Sequence, residues 1–391
     1  MLIFNPLKKK LLNSRTNLKI VNDPIYGFIT IHYDIIFDCI QLPEFQRLRR
    51  IKQLGLTSLV YPGAQHTRFQ HAIGAMHLMH TAIKSLRSKD IAISEQEEVS
   101  VLLAILLHDI GHGPFSHSLE HSILENVNHE DISSVLMHQI NTKMDGQLDM
   151  AIQIFENKYH RPFLHQLVSS QLDMDRLDYL RRDSFYTGVS EGTVGIERII
   201  QMLNVRDEQL IVDQKGIYSV EKFLMARRFM YWQVYLHKTS IVGDCLLVGT
   251  LQRAKELLAS GEQIFASPFL AFFLTQNFTK EDLQREDVLT NFCNLDDNEI
   301  ISAIKVWQTN PDRTLSLMSK MIIERNLLKI EIADSPYSQE YIDTKEAEAS
   351  KVLDVDAALA TLKDCGEDAW LIGHIDEKSP SSDAVILQGS E

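Results

Sequence analysis

The segment LLAILLHDIGHGPFSHSLEH, Leu102 to His121, places His108, His112, His117 and His121 with Asp109 and Glu120 directly after an apolar run. An aspartate at the end of a buried helix is costly unless it is paired or holds a metal. Taken alone, His108-Asp109 fits a structural ion pair as well as a metal site. Other residues favour the metal. His71 lies just inside another helical pattern, and QLDMDRLDYLRRD (Gln171–Asp183) offers Asp173, Asp175, Asp178 and Asp183. Two or three imidazoles with carboxylates make a mixed nitrogen and oxygen site suited to Mn, Fe, Mg, Co or Zn. Such an ion lowers the pKa of bound water and polarises a phosphoryl oxygen.

Spacing refines the candidates. Asp175 and Asp178 are three apart and Asp175 and Tyr179 four apart, so one helical face can present all three. Asp173 alone reads as a solvated carboxylate or a partner of Arg176, Arg181 or Arg182. His112, His117 and His129 are candidate acid–base groups, because imidazole titrates near neutrality. The Gly-Pro of HGPFSH marks a turn that brings them to a rim. His77, His80, His121 and His138 read as ordinary histidines.

Several elements must position these groups. NDPIYGFITIHYD (Asn22–Asp34) predicts a short hairpin. PEFQRLRRIKQLG predicts a helix from Pro43 that stops at Gly55. Thr67 with Gln70, and Ser94 with Glu97, predict capping boxes opening the helices that carry His71 and LLAILLHD. Further helices are expected over 130–142, 148–157, 163–182, 195–203 and 220–258, with helical patterns continuing to Leu328. Leu210–Val220 predicts a hairpin closed near Lys215-Gly216. Beyond residue 330, LKIEIADSP and AWLIGHID read as strands around the helix-prone DVDAALATLKD. The reading is therefore mainly α, a helical bundle with small β-hairpins over 1–330, followed by an acidic α/β element over 331–391.

Composition narrows the class. The chain has 391 residues, 45% of them hydrophobic, with only 17 glycines and 10 prolines. That suits long helices around one large core. The net charge of -14 argues against nucleic-acid and membrane-surface binders. Residues 340–391 hold 13 acidic and 4 basic residues, a balance of -9, which leaves -5 for the rest. The body can thus contain basic pockets for anionic small molecules. The N-terminal 20 residues, with five basic and no acidic groups, read as a frayed terminus. Cys39, Cys245, Cys293 and Cys365 form no CxxC pair, so neither a zinc knuckle nor a disulfide framework is expected, and a reducing cytoplasm is. The longest apolar run, near Val99–Leu107, is too short to span a bilayer.

The motifs NDPIYGFI, FQRLRRIKQLG, YPGAQHTRFQHAIG, LLHDIGHGPFSH, NHED, DMDRLDYLRRDSFYTG and RRFMYWQVYLHKT occur in this order between about Lys19 and Thr239. Together they resemble the HD-domain superfamily of metal-dependent phosphohydrolases, and more closely its deoxynucleoside triphosphate (dNTP) triphosphohydrolases, the bacterial dGTPases and an animal enzyme with a sterile-alpha-motif domain. No such extra domain is recognised here. The resemblance implies His71, His108, Asp109 and Asp175 as ligands of a divalent metal. It implies Gln53, Leu54, Arg68, Arg176, Tyr179, Asp183, Arg227 and Tyr235 around the substrate. Arg176 stands where family members often have lysine, which keeps the charge and changes the geometry. Gln53, Leu54 and Tyr235 would embrace base and deoxyribose, leaving no room for a 2′-hydroxyl.

The family reaction would release a deoxynucleoside and intact triphosphate, with dGTP the favoured substrate. His129 is the first choice of general acid, Glu120 or His112 its relay, and His117 a stabiliser near the α-phosphate. Lys19, Asn22, Gln46, Arg49 and Lys238 match positions that bind an activating nucleotide at subunit contacts in relatives. Gln41 replaces an aspartate that reads guanine in the animal enzyme, which disfavours a strict GTP switch. A homo-oligomer, often a tetramer in relatives, is expected. The competing readings are an HD phosphohydrolase for another nucleotide phosphoester and a non-catalytic nucleotide sensor.

Overall fold

The computed structural model describes residues 19–119, 123–124, 127–331, 338–341, 343–344, 347, 361–363, 369–375 and 382–388. It is mainly helical, with two small antiparallel hairpins and one four-stranded sheet. The centre is the helix Glu95–Leu107. From Val101 to Leu107 every side chain is 2% exposed or less. It packs against the Arg68–Arg87 and Asp149–Phe155 helices, and Arg68–Arg87 also packs on Met174–Thr187. LLAILL is thus apolar on all faces because helices surround it. Both predicted capping boxes form. Thr67 N–H donates to Gln70 Oε1 at 2.9 Å, and Ser94 N–H donates to Glu97 Oε2 at 2.8 Å.

The first hairpin pairs β1 (Lys19–Asp23) with β2 (Gly27–Ile31). Asp23 Oδ1 accepts from the N–H groups of Ile25 and Tyr26, which closes the turn. The helix expected from Pro43 to Gly55 is shorter. One α-turn, Pro43–Gln46, continues as a 3-10 turn to Arg50, and Ile51 is extended. There the backbone bonds across the chain instead. Arg68 N–H donates to Ile51 O at 2.9 Å and Gln53 N–H to His66 O at 3.0 Å.

Helices are found at His129–Lys143, Asp149–Phe155 and Ile196–Met202. The helix expected over 163–182 is two helices, Pro162–Val168 and Met174–Thr187. Asp173 breaks it. Its carboxylate accepts from Ser170 N–H and Arg176 N–H, both at 2.7 Å, and so caps a new start. The stretch over 220–258 is also divided, into Ile217–Met230, a π-helical turn Tyr231–Tyr235 and Lys238–Ala259. The second hairpin is misplaced in the sequence reading. It pairs β3 (Leu203–Arg206) with β4 (Gln209–Val212) around Asp207 and Glu208, both at positive φ. Lys215 and Gly216 instead lie in a 3-10 turn that leads into Ile217–Met230. Turn reading favours glycine for left-handed positions, and two acidic residues hide one.

Helices at Pro268–Thr275, Glu286–Asn294, Asp297–Trp307 and Arg313–Ile323 complete the helical part. The last sheet has the order β5 (Leu328–Glu331), β8 (Ser382–Gln388), β7 (Ala369–Ile375), β6 (Thr361–Lys363), so it begins inside the stretch assigned to the body. Thr361–Lys363 is a strand within the helix-prone DVDAALATLKD, whose first residues lie outside the described ones. Among the described residues, Cys39 and Cys293 are free thiols. Among the described residues no helix is long and apolar enough to cross a membrane.

Candidate metal centre and active site

Four side chains from three helical segments converge. His71 sits at the start of Arg68–Arg87, His108 and Asp109 at the end of Glu95–Leu107, and Asp175 in the first turn of Met174–Thr187. His71 Nε2 lies 3.1 Å from Asp175 Oδ1 and 3.6 Å from Asp109 Oδ2. His108 Nε2 lies 3.3 Å from Asp109 Oδ1 and 3.5 Å from Asp175 Oδ1. The far side of each imidazole is anchored. His71 Nδ1 bonds Asp178 Oδ2 at 2.8 Å, and His108 Nδ1 donates to Ile105 O at 2.6 Å. Those bonds hold the proton on Nδ1 and leave the Nε2 lone pair facing the centre.

The donor set fits a divalent cation. Both Nε2 atoms are buried without a hydrogen-bond partner among the described residues, and His71, His108 and Asp175 offer ligand atoms within 4.8 Å of one another. Burial opposes a charge on His71, yet Asp175 and Asp178 outweigh it and raise the imidazole to about 10. Burial likewise opposes ionisation of Asp175, but His108 and His71 hold it below the usual carboxylate range. Negative charge is therefore in excess here, and a metal cation would take the place of the proton that His71 otherwise attracts.

Asp109 also faces a second cluster. His112 Nε2 is 3.3 Å from Asp109 Oδ1, and the His112 and His129 rings stack at 3.9 Å. Asp109, His112 and His129 form another group with ligand-atom spacing under 4.8 Å. Burial and the Arg68 charge hold His112 well below its ordinary pKa, which favours its neutral form. Arg68 donates to Asp109 Oδ2 at 2.5 Å and to Ser116 Oγ at 2.9 Å. The turn is braced from outside. Buried Arg47 donates from one Nη to Ile110 O and His112 O, each at 2.7 Å. Ser133 Oγ accepts from Gly111 N–H and donates to His108 O. His117 stands in the 3-10 turn Ser116–Leu119, but its side chain, like Glu120 and His121, lies outside the described residues.

An aromatic and cationic wall adjoins the centre. Arg176 bonds Asp173 at 3.0 Å and lies 3.9 Å from Asp175. Tyr179 meets Tyr235 edge-on at 6.2 Å, and Tyr235 OH donates to Asp183 Oδ2 at 2.7 Å. His66 Nε2 holds the other oxygen of Asp183 at 2.7 Å. Arg227 reaches Gln171 at 3.1 Å and lies over Tyr231. Gln53 is buried with its side-chain carbonyl unpartnered among the described residues, beside half-buried Leu54. Asp178, expected on the ligand face, instead turns to Arg182 and His71 Nδ1.

Of the positions read as regulatory, Lys19, Gln46 and Arg49 gather around the Asp34–Gln41 helix, where Gln46 Nε2 donates to Ile40 O at 2.6 Å. Lys19 and Asn22 lie in β1, with Lys19 Nζ 3.4 Å over the Phe37 ring. Arg49 donates to Gln46 Oε1 at 2.9 Å and covers Phe69 at 3.5 Å. Lys238 opens the Lys238–Ala259 helix, and Gln41 ends the Asp34–Gln41 helix. Sequence reasoning missed Arg47, His66 and Ser133. Only Asp178, three residues from a ligand candidate, carried a signal.

A fold of this kind with a His/Asp centre of this kind defines a metal-dependent phosphohydrolase. Comparison with known proteins agrees. Residues 68–183 match the HD domain and residues 194–266 the HD associated region. The chain is 33% identical over 319 residues to the uncharacterized protein YwfO of Bacillus subtilis, covering 80% of this chain and 71% of that one. It is 32% identical over 272 residues to the deoxynucleoside triphosphate triphosphohydrolase SAMHD1 homolog of Dictyostelium discoideum, covering 64% of this chain but about half, 52%, of that one. A solved phosphohydrolase from Bacteroides thetaiotaomicron, BT4208, superposes with a TM-score of 0.85 at 54% identity, covering 87% of this chain and 86% of that one. The chain belongs to the HD-domain phosphohydrolases.

Proposed function

We propose that this hydrolase cleaves dNTPs, dGTP foremost, to a deoxynucleoside and intact triphosphate. The observation that carries the reading is the wall beside the His/Asp centre, in which Arg68, Arg176 and Arg227 stand with Tyr179 and Tyr235. Three guanidiniums suit a polyphosphate, and two phenols suit a sugar and base. The carbonyl of Gln53, buried and unpartnered among the described residues, is a polar group for the nucleoside end to satisfy.

His71, His108, Asp109 and Asp175 would hold the cation, which when bound supplies an activated water and charge neutralisation at the phosphate. The 5′ oxygen is a poor leaving group and needs a proton. His129 is assigned to deliver it. The His112 ring stacks on that imidazole at 3.9 Å and holds its orientation. His117 and Glu120 are assigned to the α-phosphate and the relay. Asp183, held by His66 and Tyr235, is the sugar-side acceptor. Activation by a nucleotide at a subunit contact, through Lys19, Asn22, Gln46, Arg49 and Lys238, belongs to the same reading, as does a homo-oligomer.

The test is a matrix of four dNTPs against each nucleotide as activator, run with Mn or Mg in 18O-labelled water. Label in the released triphosphate supports attack at the α-phosphorus. Pyrophosphate or phosphate as the sole inorganic product favours another phosphoester activity. Binding of dNTPs without any turnover favours a sensor.

A further inference from the structure

Behind His71 runs a chain of buried charges that the proposed reaction does not use. Asp178 bonds His71 Nδ1 through Oδ2. Arg182 grips Asp178 with two bonds, Nε to Oδ2 at 2.8 Å and Nη2 to Oδ1 at 2.9 Å. From its other nitrogen, Nη1, Arg182 donates to Asp23 Oδ2 at 2.8 Å. Asp23 is the last residue of β1, and its second oxygen closes the hairpin turn. His71, Asp178 and Arg182 side chains are 0% exposed and that of Asp23 is 3% exposed. Gly74 leaves the space for this arrangement. A Cβ there would sit 2.1 Å from both Arg182 Nη2 and Asp178 Oδ1.

We propose that Asp23, Arg182 and Asp178 are positioning residues that tie the β1–β2 hairpin to His71, so that the seating of the hairpin sets how tightly the His/Asp centre holds its cation. A buried guanidinium between two carboxylates tolerates little displacement, because moving either partner strands a charge. A bidentate pair also fixes direction, so a shift of Asp23 turns Arg182 and, through it, the carboxylate that orients the imidazole. Lys19 and Asn22 occupy the same strand as Asp23. A ligand that moves this strand would therefore act on the metal. The proposal rests on the metal-site reading and not on the identity of the substrate.

The experiment uses the full chain and Mn2+ alone, without nucleotide. Titration calorimetry of Asp23→Asn, which keeps the turn-closing oxygen and loses the acceptor for Arg182, is expected to show about tenfold weaker Mn2+ binding. Arg182→Lys, which keeps the charge and loses the fork, is expected between wild type and Asp23→Asn. Arg253→Gln, which breaks an ion pair with Asp312 instead, is expected to bind Mn2+ as wild type does. Wild-type affinity in folded Asp23→Asn overturns the proposal. Linkage is reciprocal, so hydrogen exchange of the unaltered protein supplies a second measurement if Asp23→Asn does not fold. Mn2+ is expected to slow exchange in residues 19–31. Exchange there that ignores the metal overturns the proposal, whatever becomes of dNTP hydrolysis.

Discussion

At the scale of single residues, the candidate metal set was legible because imidazoles and carboxylates are rare neighbours of apolar helices, and the fold brings His71, His108 and Asp175 together. Asp175 is the sharpest case. It lies 3.1 Å from His71 Nε2 and 3.5 Å from His108 Nε2. Asp175→Asn is expected to abolish Mn2+ binding in calorimetry and to lower turnover about a thousandfold, the equivalent of several kcal/mol of charge stabilisation. Retained binding and turnover would remove Asp175 from the centre. Arg47 was not legible, since its importance lies in carbonyls 63 and 65 residues away. Arg47→Met leaves those carbonyls unsatisfied, at a cost of about 1–3 kcal/mol. The expected outcome is a lower Tm and a lower kcat through a displaced His112, with Mn2+ affinity kept. A kcat equal to wild type would confine Arg47 to stability. Asp178 was read on the ligand face, but its buried i,i+4 pairing with Arg182 was not legible until the fold enclosed it.

At the scale of elements, helix starts were read well where two side chains cap reciprocally, as at Thr67/Gln70 and Ser94/Glu97. Interruptions were not. Asp173 looks like one more acid in a helical run, yet it restarts the helix and thereby puts Asp175 in a first turn, close to His71. The π-helical turn at Tyr231–Tyr235 inserts a residue and aims Tyr235 at Asp183. The ligand-bearing helices are joined by Glu98, which pairs with His80 at 3.0 Å and with Arg87. Burial opposes its charge, but bonds from His80 and Arg87 prevail and lower Glu98 to about 2. A depressed folded pKa gives stability that is present above the unfolded value, about 4.3, and lost as pH falls toward 2. Acid titration of Tm should therefore decline through that window, and Glu98→Gln should be lower at neutral pH with a flatter decline. An unchanged slope would show that the pair contributes nothing to acid sensitivity.

At the scale of the molecule, one surface stands out. Tyr218, Met225, Phe229, Trp232 and Leu236 follow helical spacing along Ile217–Met230 and the turn after it, and each is at least 40% exposed, Tyr218 reaching 80%. The exposed apolar run from Met225 to Leu236 suits association, and it adjoins Arg227 of the proposed substrate wall. A second copy is the expected occupant. Light scattering should find a multimer for the wild type and a smaller species for Trp232→Arg; a wild-type monomer would contradict the homo-oligomer reading. Composition and periodicity sufficed for the helical class, whereas the surface stripe went unread because the sequence alone does not show which face of the 220–258 pattern the fold leaves exposed.

The proposed reaction is a metal-dependent cleavage of dNTPs at the bond between the 5′ oxygen and the α-phosphorus. Chromatography of dGTP incubated with the protein and Mn2+ tests it most directly. Deoxyguanosine and triphosphate in equal amounts, absent when Mn2+ is chelated, is the expected result. Pyrophosphate with the monophosphate, or no product from any dNTP under any activator, would contradict it.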